Sequence, residues 1–103
     1  MLTRPLGATD LQVSILGFGG APLGNMYKPV SDKEARDTLA AALNSGLNFF
    51  DTAPHYGAGL SERRIGDAVR GAHAENCVVS TKVGRLLYPD SNADVEAPRH
   101  GFV

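Results

Sequence analysis

Apolar residues fall in short segments along the chain, and the pattern of each segment predicts an element. Residues 2–14 predict a β-hairpin around the turn "GATD", and Pro5 restricts its first arm to a sheet edge. Three apolar runs, at 15–20, 47–51 and 77–83, predict short strands. The β-branched residues of the third run favour a strand over a helix. A hairpin followed by three strands is therefore expected.

Two amphipathic segments separate these strands and predict helices. Ser31 and Glu34 form an S-x-x-E capping box at the start of the first helix. Its apolar face repeats every four residues: Ala35, Leu39, Leu43. Gly46 stands where a helix needs a left-handed terminating residue. The second helix is expected to have Ser61 as its N-cap and to end at Gly71.

The order after the hairpin, β-α-β-α-β, is typical of a parallel sheet with helical crossovers. A doubly wound sheet and an eight-stranded barrel share this order. The segment "GFGGAP" (17–22) approaches the dinucleotide fingerprint of the doubly wound sheet, but Pro22 replaces the third glycine, and no helix is expected before about Ser31. The doubly wound fold is therefore rejected. Residues 84–103 lack periodicity and contain two prolines, so they are predicted to be loop.

Composition excludes several classes of function. The 103 residues are 43% hydrophobic and 20% charged, as in an ordinary globular domain or a piece of a larger one. A formal net charge of −1 without a basic cluster argues against nucleic acid or an anionic membrane as a partner. No run approaches membrane-spanning length, and the lone Cys77 favours a reducing, cytoplasmic compartment. No His or Cys spacing suggests a metal site.

Polar side chains follow the second and third predicted strands. Asp51 ends the second strand, and His55 and Tyr56 lie in the loop after it. Thr81 and Lys82 end the third strand. Because function collects at the carboxyl ends of parallel strands, Asp51 and Lys82 are expected to form an ion pair if these strands are neighbours. Tyr56 would then lie beside the ammonium group.

Such a trio has a definite chemistry. A phenol has a reference pKa of about 10, and a nearby ammonium group lowers it. A carboxylate keeps the ammonium group charged and in place. The trio would be a general acid/base that protonates a carbonyl oxygen, or deprotonates an alcohol, while hydride moves.

Each of the three residues also has a purely structural interpretation, which spacing alone leaves open. Asp51 before Thr-Ala-Pro could serve only a turn, and Lys82 could be solvated or paired for charge balance. Tyr56 could pack with its hydroxyl in water. His55 could simply line the mouth of a pocket.

Three ordered segments, "LGFGGAPLGN", "NFFDTAPHYGAGLSERRIGDAV" and "VVSTKVGRLL", resemble the N-terminal part of the aldo/keto reductase family, up to about Pro89. The resemblance implies an α/β fold, the N-terminal part of a (β/α)8 TIM barrel. A hairpin would close its bottom, and about three barrel strands would be present. It also implies hydride transfer between NADP or NAD and a small carbonyl compound or sugar, without a metal.

The resemblance implies roles for particular residues as well. The family's catalytic tetrad is Asp, Tyr, Lys and His, and its first three members match Asp51, Tyr56 and Lys82. By position, four residues would bind the nicotinamide cofactor: Gly19, Gly20, Ala21 and Asp51. The variants "DTAPHYG" and "STKVGRLL" are most similar to the aldose dehydrogenase branch, which includes D-threo-aldose and L-fucose dehydrogenases.

The resemblance also has a limit. The tetrad His should follow a fourth strand, and His100 precedes any such strand. A barrel needs roughly 200 residues or more. Residues 1–103 are therefore expected to be a truncated domain whose C-terminal barrel half, with most of the dinucleotide site, is missing. Two hypotheses follow: the catalytic part of an NAD(P)-dependent oxidoreductase, or a non-catalytic fragment or association module.

Overall fold

A computed structural model describes residues 1–87 and 100–102 of the chain. The strands are β1 (Thr3–Pro5), β2 (Gln12–Ser14), β3 (Phe18–Gly19), β4 (Phe49–Asp51), β5 (Val78–Ser80), β6 (Arg85–Leu87) and β7 (His100–Phe102). The α-helices are α1 (Asp32–Asn44) and α2 (Leu60–Val69). Short 3-10 helices occupy Ala21–Gly24 and Gly71–His73.

The strands β3, β4 and β5 form a parallel sheet in that order. This arrangement confirms the predicted β-α-β-α-β unit and the adjacency of the second and third strands. The register sets Gly19 opposite Asp51, and Asp51 opposite Ser80. The carboxyl ends of all three strands therefore meet at one edge, where the polar residues of the sequence lie.

The core lies between the sheet and the two α-helices, because each helix turns one apolar stripe towards Phe50 of the central strand. The fully enclosed members of this core are Leu23, Ala35, Leu39, Phe50 and Ile65. The Phe18 ring contacts Phe50 with 5.6 Å between centroids. The core thus fixes the central strand, whose last residue is Asp51.

Helix α1 begins and ends as the sequence predicts. The Ser31 side chain accepts a hydrogen bond from the Glu34 backbone N–H at 3.1 Å, and Gly46 terminates the helix with a φ of +92°. Helix α2 differs from the prediction, because its N-cap is the left-handed Gly59 and not Ser61. Ser61 is instead buried inside the first turn, where its hydroxyl binds partners in other elements.

The sequence predicts no helix before about Ser31, but within the segment 21–31 a 3-10 helix occupies Ala21–Gly24, with Pro22 in its first turn. Arg64 of α2 fixes this segment. Its guanidinium donates to the carbonyl oxygens of Leu23 at 3.0 Å and Val30 at 2.7 Å, and forms an ion pair with Asp32 at 3.0 Å.

The predicted hairpin forms between β1 and β2, with antiparallel pairing from Thr3–Ser14 to Pro5–Gln12. Asn48, just before β4, attaches it to the sheet. The Asn48 Oδ1 accepts from the Ser14 backbone N–H at 2.6 Å, and its Nδ2 donates to the Gln12 carbonyl at 2.9 Å. The hairpin therefore lies at the amino end of β4, away from the polar edge.

The prediction that 84–103 is loop is wrong for part of its length. The strands β6 and β7 pair antiparallel, with Leu86 opposite Gly101. Three-residue strands are too short to show a period, and their pairing depends on a partner distant in the sequence. The rest of that prediction lies outside the described residues. In the described part of the chain, no helix is long and apolar enough to cross a bilayer.

Candidate active site

Asp51 and Lys82 meet at the carboxyl edge of the sheet, as the sequence predicts. The Lys82 Nζ donates to Asp51 Oδ2 at 2.9 Å and to the Thr52 carbonyl oxygen at 2.7 Å. Strand β5 ends at Ser80, so Lys82 lies just beyond it and bends back across β4. The Lys82 and Asp51 side chains remain 47% and 48% exposed. The ion pair is therefore accessible from solvent.

Ser80 also binds Asp51, although it is not among the site residues predicted from the sequence. Its hydroxyl donates to Asp51 Oδ1 at 2.7 Å, so each carboxylate oxygen has its own donor. The strand register explains the contact, because Ser80 is the direct neighbour of Asp51 across the parallel pair. The sequence does show a hydroxyl residue two positions before the candidate Lys82. Only the strand register, however, shows that this residue is the neighbour of Asp51.

The charges at this edge stabilise one another. The Ser80 hydroxyl, and then the Lys82 ammonium, hold the pKa of Asp51 below its usual range. The Asp51 carboxylate raises the pKa of Lys82, and the Tyr56 hydroxyl adds to this effect. At neutral pH the site therefore holds a carboxylate and an ammonium group.

Tyr56 lies beside this pair. The Lys82 Nζ is 5.1 Å from the centroid of the Tyr56 ring, within the range of a cation–π contact. The loop that carries Tyr56 packs tightly on the 3-10 helix, since a Cβ on Gly24 would overlap the Tyr56 backbone. The Ser61 backbone N–H also donates to the Tyr56 carbonyl at 3.1 Å. These contacts fix the phenol relative to the strand ends.

Beneath the site, the buried hydroxyls of Ser61 and Thr52 connect helix α2 with the ends of β3 and β4. The Ser61 Oγ donates to the Gly20 carbonyl at 2.7 Å and lies 2.8 Å from Thr52 Oγ1. The Gly20 N–H in turn donates to the Asp51 carbonyl at 2.7 Å. A Cβ on Gly20 would lie 2.6 Å from that carbonyl oxygen, so only glycine fits. Gly20 therefore serves the packing of the site from within.

A cavity of about 360 Å³ opens beside the trio. Its lining comes from Ala53–Tyr56, from Lys82–Arg85 and from Leu87. The cavity is therefore mainly apolar, with the Tyr56 hydroxyl and the Lys82 ammonium among its few polar groups. His55 lines it, as one interpretation of the sequence expects.

Of the four residues expected to bind the nicotinamide cofactor, three are placed where they can border its ring. Gly19 is exposed, and nothing lies within 4 Å of where its Cβ would be, so the end of β3 offers an open surface next to Asp51. Ala21 follows at the start of the 3-10 helix. Gly20 differs, because both of its backbone polar groups are already bonded within the protein. Gly19, Ala21 and Asp51 can border a flat ring at this edge.

The sequence model of the aldo/keto reductase family matches residues 15–101. The chain belongs to this family. It is 47% identical over 89 residues to a D-threo-aldose 1-dehydrogenase of a Pseudomonas species, covering 85% of this chain and 27% of that protein. It is 50% identical over 84 residues to a pyridoxal 4-dehydrogenase of Microbacterium luteolum, covering 82% and 24%. The chain thus spans about a quarter of the length of these curated relatives.

Solved structures of the family give the same assignment. An aldo-keto reductase of Bacillus halodurans in its holo form is 36% identical, with a TM-score of 0.75 over 85% of this chain and 28% of that one. The glycerol dehydrogenase of Gluconobacter oxydans is 28% identical, with a TM-score of 0.73 over 98% and 30%. The fold is thus the N-terminal part of a TIM barrel, as expected. Within the described residues the strands do not close into a barrel.

No group of three His, Cys, Asp or Glu side chains in the described ranges is arranged to hold a metal ion. What the site does offer is an ammonium group that contacts both a carboxylate and a phenol ring, beside an accessible cavity. Groups of this kind can move a proton to or from an oxygen atom of a small molecule.

Proposed function

We propose that this protein is an NAD(P)-dependent oxidoreductase that interconverts an alcohol and a carbonyl compound, with an aldose or a similar polar aldehyde as its substrate. The observation that carries the proposal is the position of the Lys82 ammonium, which contacts the Asp51 carboxylate and the Tyr56 ring together. The names of the relatives support the substrate class, because they include aldose and pyridoxal dehydrogenases.

In the proposed mechanism, Tyr56 is the general acid/base. In the direction of alcohol oxidation, the substrate hydroxyl gives its proton to the Tyr56 oxygen, and in reduction the phenol returns that proton to the carbonyl oxygen. The Lys82 ammonium stabilises the negative charge on the Tyr56 oxygen whenever its proton has left. Asp51 and the Thr52 carbonyl hold Lys82 in place for this task.

A bound nicotinamide dinucleotide would accept or supply the hydride. Gly19, Ala21 and Asp51 would border its nicotinamide ring at the end of β3 and β4, and the cavity would hold the substrate beside Tyr56. Because the cavity walls are mostly apolar, water would be partly excluded when the cavity is filled. Exclusion of water strengthens the electrostatic effect of Lys82.

The decisive experiment is the substitution Tyr56→Phe, made in the whole protein that the gene encodes. We expect turnover of an aldose to fall by about 10³-fold, because the phenol oxygen is lost while the ring remains. Binding of NADPH or NADH, followed by nicotinamide fluorescence, should stay within about twofold of the unsubstituted protein. Tyr27→Phe is the matched control, since Tyr27 is 79% exposed and outside the site. A Tyr56→Phe variant with full turnover would refute the role.

A second candidate is an association module that completes a barrel with another polypeptide segment. Exposed apolar side chains favour it, since Val79 of β5 is 46% exposed and Val83 is 99% exposed. Size-exclusion chromatography, combined with nicotinamide fluorescence, distinguishes an oxidoreductase from an association module. A chain that binds no nucleotide alone, but does so when mixed with the remaining segments of a family barrel, would support the module.

A further inference from the structure

The Asp51 carboxylate is held on both of its oxygens, and only one of the two donors belongs to the predicted trio. Oδ2 accepts from Lys82, and Oδ1 accepts from the Ser80 hydroxyl at 2.7 Å. An ion pair with both side chains about half exposed is weak by itself, because water screens it and competes for its hydrogen bonds. Lys82 alone would therefore restrain the carboxylate poorly.

Ser80 acts on the Lys82 site through its backbone too. Its carbonyl oxygen accepts from the Thr52 N–H at 2.9 Å, and the Thr52 carbonyl is the other acceptor of the Lys82 ammonium. Both acceptors of Lys82 are thus on residues that Ser80 binds. The strand register, with Asp51 directly opposite Ser80, makes this arrangement possible.

We propose that Ser80 is a positioning residue of the reaction: its hydroxyl fixes the rotation of the Asp51 carboxylate, so that Oδ2 holds the Lys82 ammonium against Tyr56. The proposal rests on the function proposed above. Without the hydroxyl, rotation about the Asp51 Cβ–Cγ bond would let Lys82 move away from the phenol. The charge on the Tyr56 oxygen would then be less well stabilised.

The test compares three substitutions at this position in the protein as its gene expresses it. Ser80→Ala removes the hydroxyl, Ser80→Cys keeps a side chain of similar size with a weak donor, and Ser80→Thr keeps the hydroxyl. We expect kcat for an aldose to fall about tenfold in the first two variants and to be retained in the third. KM for the aldose and for the nucleotide should change less than twofold.

A second readout is independent of turnover. Carbon-13 NMR of the Asp51 carboxyl group should show its pKa rising in Ser80→Ala towards the ordinary value, because a hydrogen bond to the charged form has been removed. The ionisable groups that the structure sets against Asp51 are Lys82 and, through it, Tyr56, and both are present in all variants. Ser80→Thr should titrate like the unsubstituted protein.

Ser14→Ala is the matched control. Ser14 also ends a strand, and its hydroxyl donates at 2.7 Å to the Leu16 carbonyl, but it lies at the hairpin. Its loss should leave kcat and the Asp51 titration unchanged, while the melting temperature reports any general loss of stability.

The outcomes separate the two proposals. If Tyr56→Phe abolishes turnover but Ser80→Ala has normal kcat and a normal Asp51 titration, the role of Ser80 is overturned and the function stands. An equal loss of kcat in Ser80→Thr and Ser80→Ala would overturn it as well, because the hydroxyl would then not be the cause. If Tyr56→Phe is fully active, the proposed function fails, and the role of Ser80 fails with it.

Discussion

Lys82 and Arg64 are both basic residues that bind several acceptors, but their surroundings differ. The Arg64 side chain is 10% exposed and its guanidinium reaches the Leu23 and Val30 carbonyls. Lys82 is 47% exposed and is next to the cavity beside Tyr56. The contrast indicates different tasks: a cation enclosed by backbone carbonyls stabilises the fold, whereas a paired cation next to an open cavity is available for chemistry.

The largest expected effect comes from replacing Lys82. Lys82→Met keeps most of the length of the side chain and removes the charge, so the charge on the Tyr56 oxygen is no longer stabilised. We expect kcat/KM for an aldose to fall by about 10³-fold, while the melting temperature changes little because both members of the ion pair are half exposed. Steady-state kinetics and a thermal melt measure the two quantities.

The control is Lys33→Met, which breaks an exposed pair with Asp37 on α1 and should leave activity intact. If Lys82→Met lost stability but kept its activity, the contrast between the two cations would be reversed.

Arg64→Met should instead lower the stability of the folded protein. The Leu23 and Val30 carbonyls would lose their charged donor, and the free energy of unfolding should fall by about 2–3 kcal/mol. Urea denaturation measures this change. The neighbouring Arg63, which is exposed on the same helix, provides the control as Arg63→Met. An Arg64→Met variant as stable as the unsubstituted protein would show that the segment 21–31 is held by its other contacts.

Local patterns predicted much of the fold. The capping box at Ser31, the terminating Gly46 and the three parallel strands all depend on interactions within a few residues or on a clear period, and the structure confirms them. The predicted N-cap of α2 was wrong. Ser61 is a typical capping residue by type, but its position is determined by tertiary contacts to Gly20 and Thr52. Propensity contains no information about such partners.

The candidate site was predictable for a related reason. Asp51 ends β4, and Lys82 lies two residues beyond the end of β5, the next strand of the same parallel unit, so order along the chain brings them together. Arg64 and Ser80 were not identified, because their partners depend on the path of a long loop and on the exact strand register. A single sequence specifies neither directly.

The smallest expected effect is on the free energy of unfolding, through the pH-dependent contribution of the Asp51–Lys82 ion pair. The pKa of Asp51 is lowered by folding, so its contribution is present above the ordinary value of 3.8 and is lost as the pH falls through the lower folded value. The pKa of Lys82 is raised, so its contribution is present below 10.5 and is lost as the pH rises through the higher folded value. The window is therefore about pH 4 to 10.

Comparison with Asp51→Asn tests this window. At pH 7 the unsubstituted protein should be more stable by under about 1 kcal/mol, since exposure weakens the pair. In urea denaturation at decreasing pH, the difference should shrink towards zero once Asp51 is protonated, because an acid and an amide then present similar groups to Lys82. A difference that grows below pH 4 would mean that the ionised carboxylate of Asp51 opposes folding, and the ion pair would not be what holds Lys82 beside Tyr56.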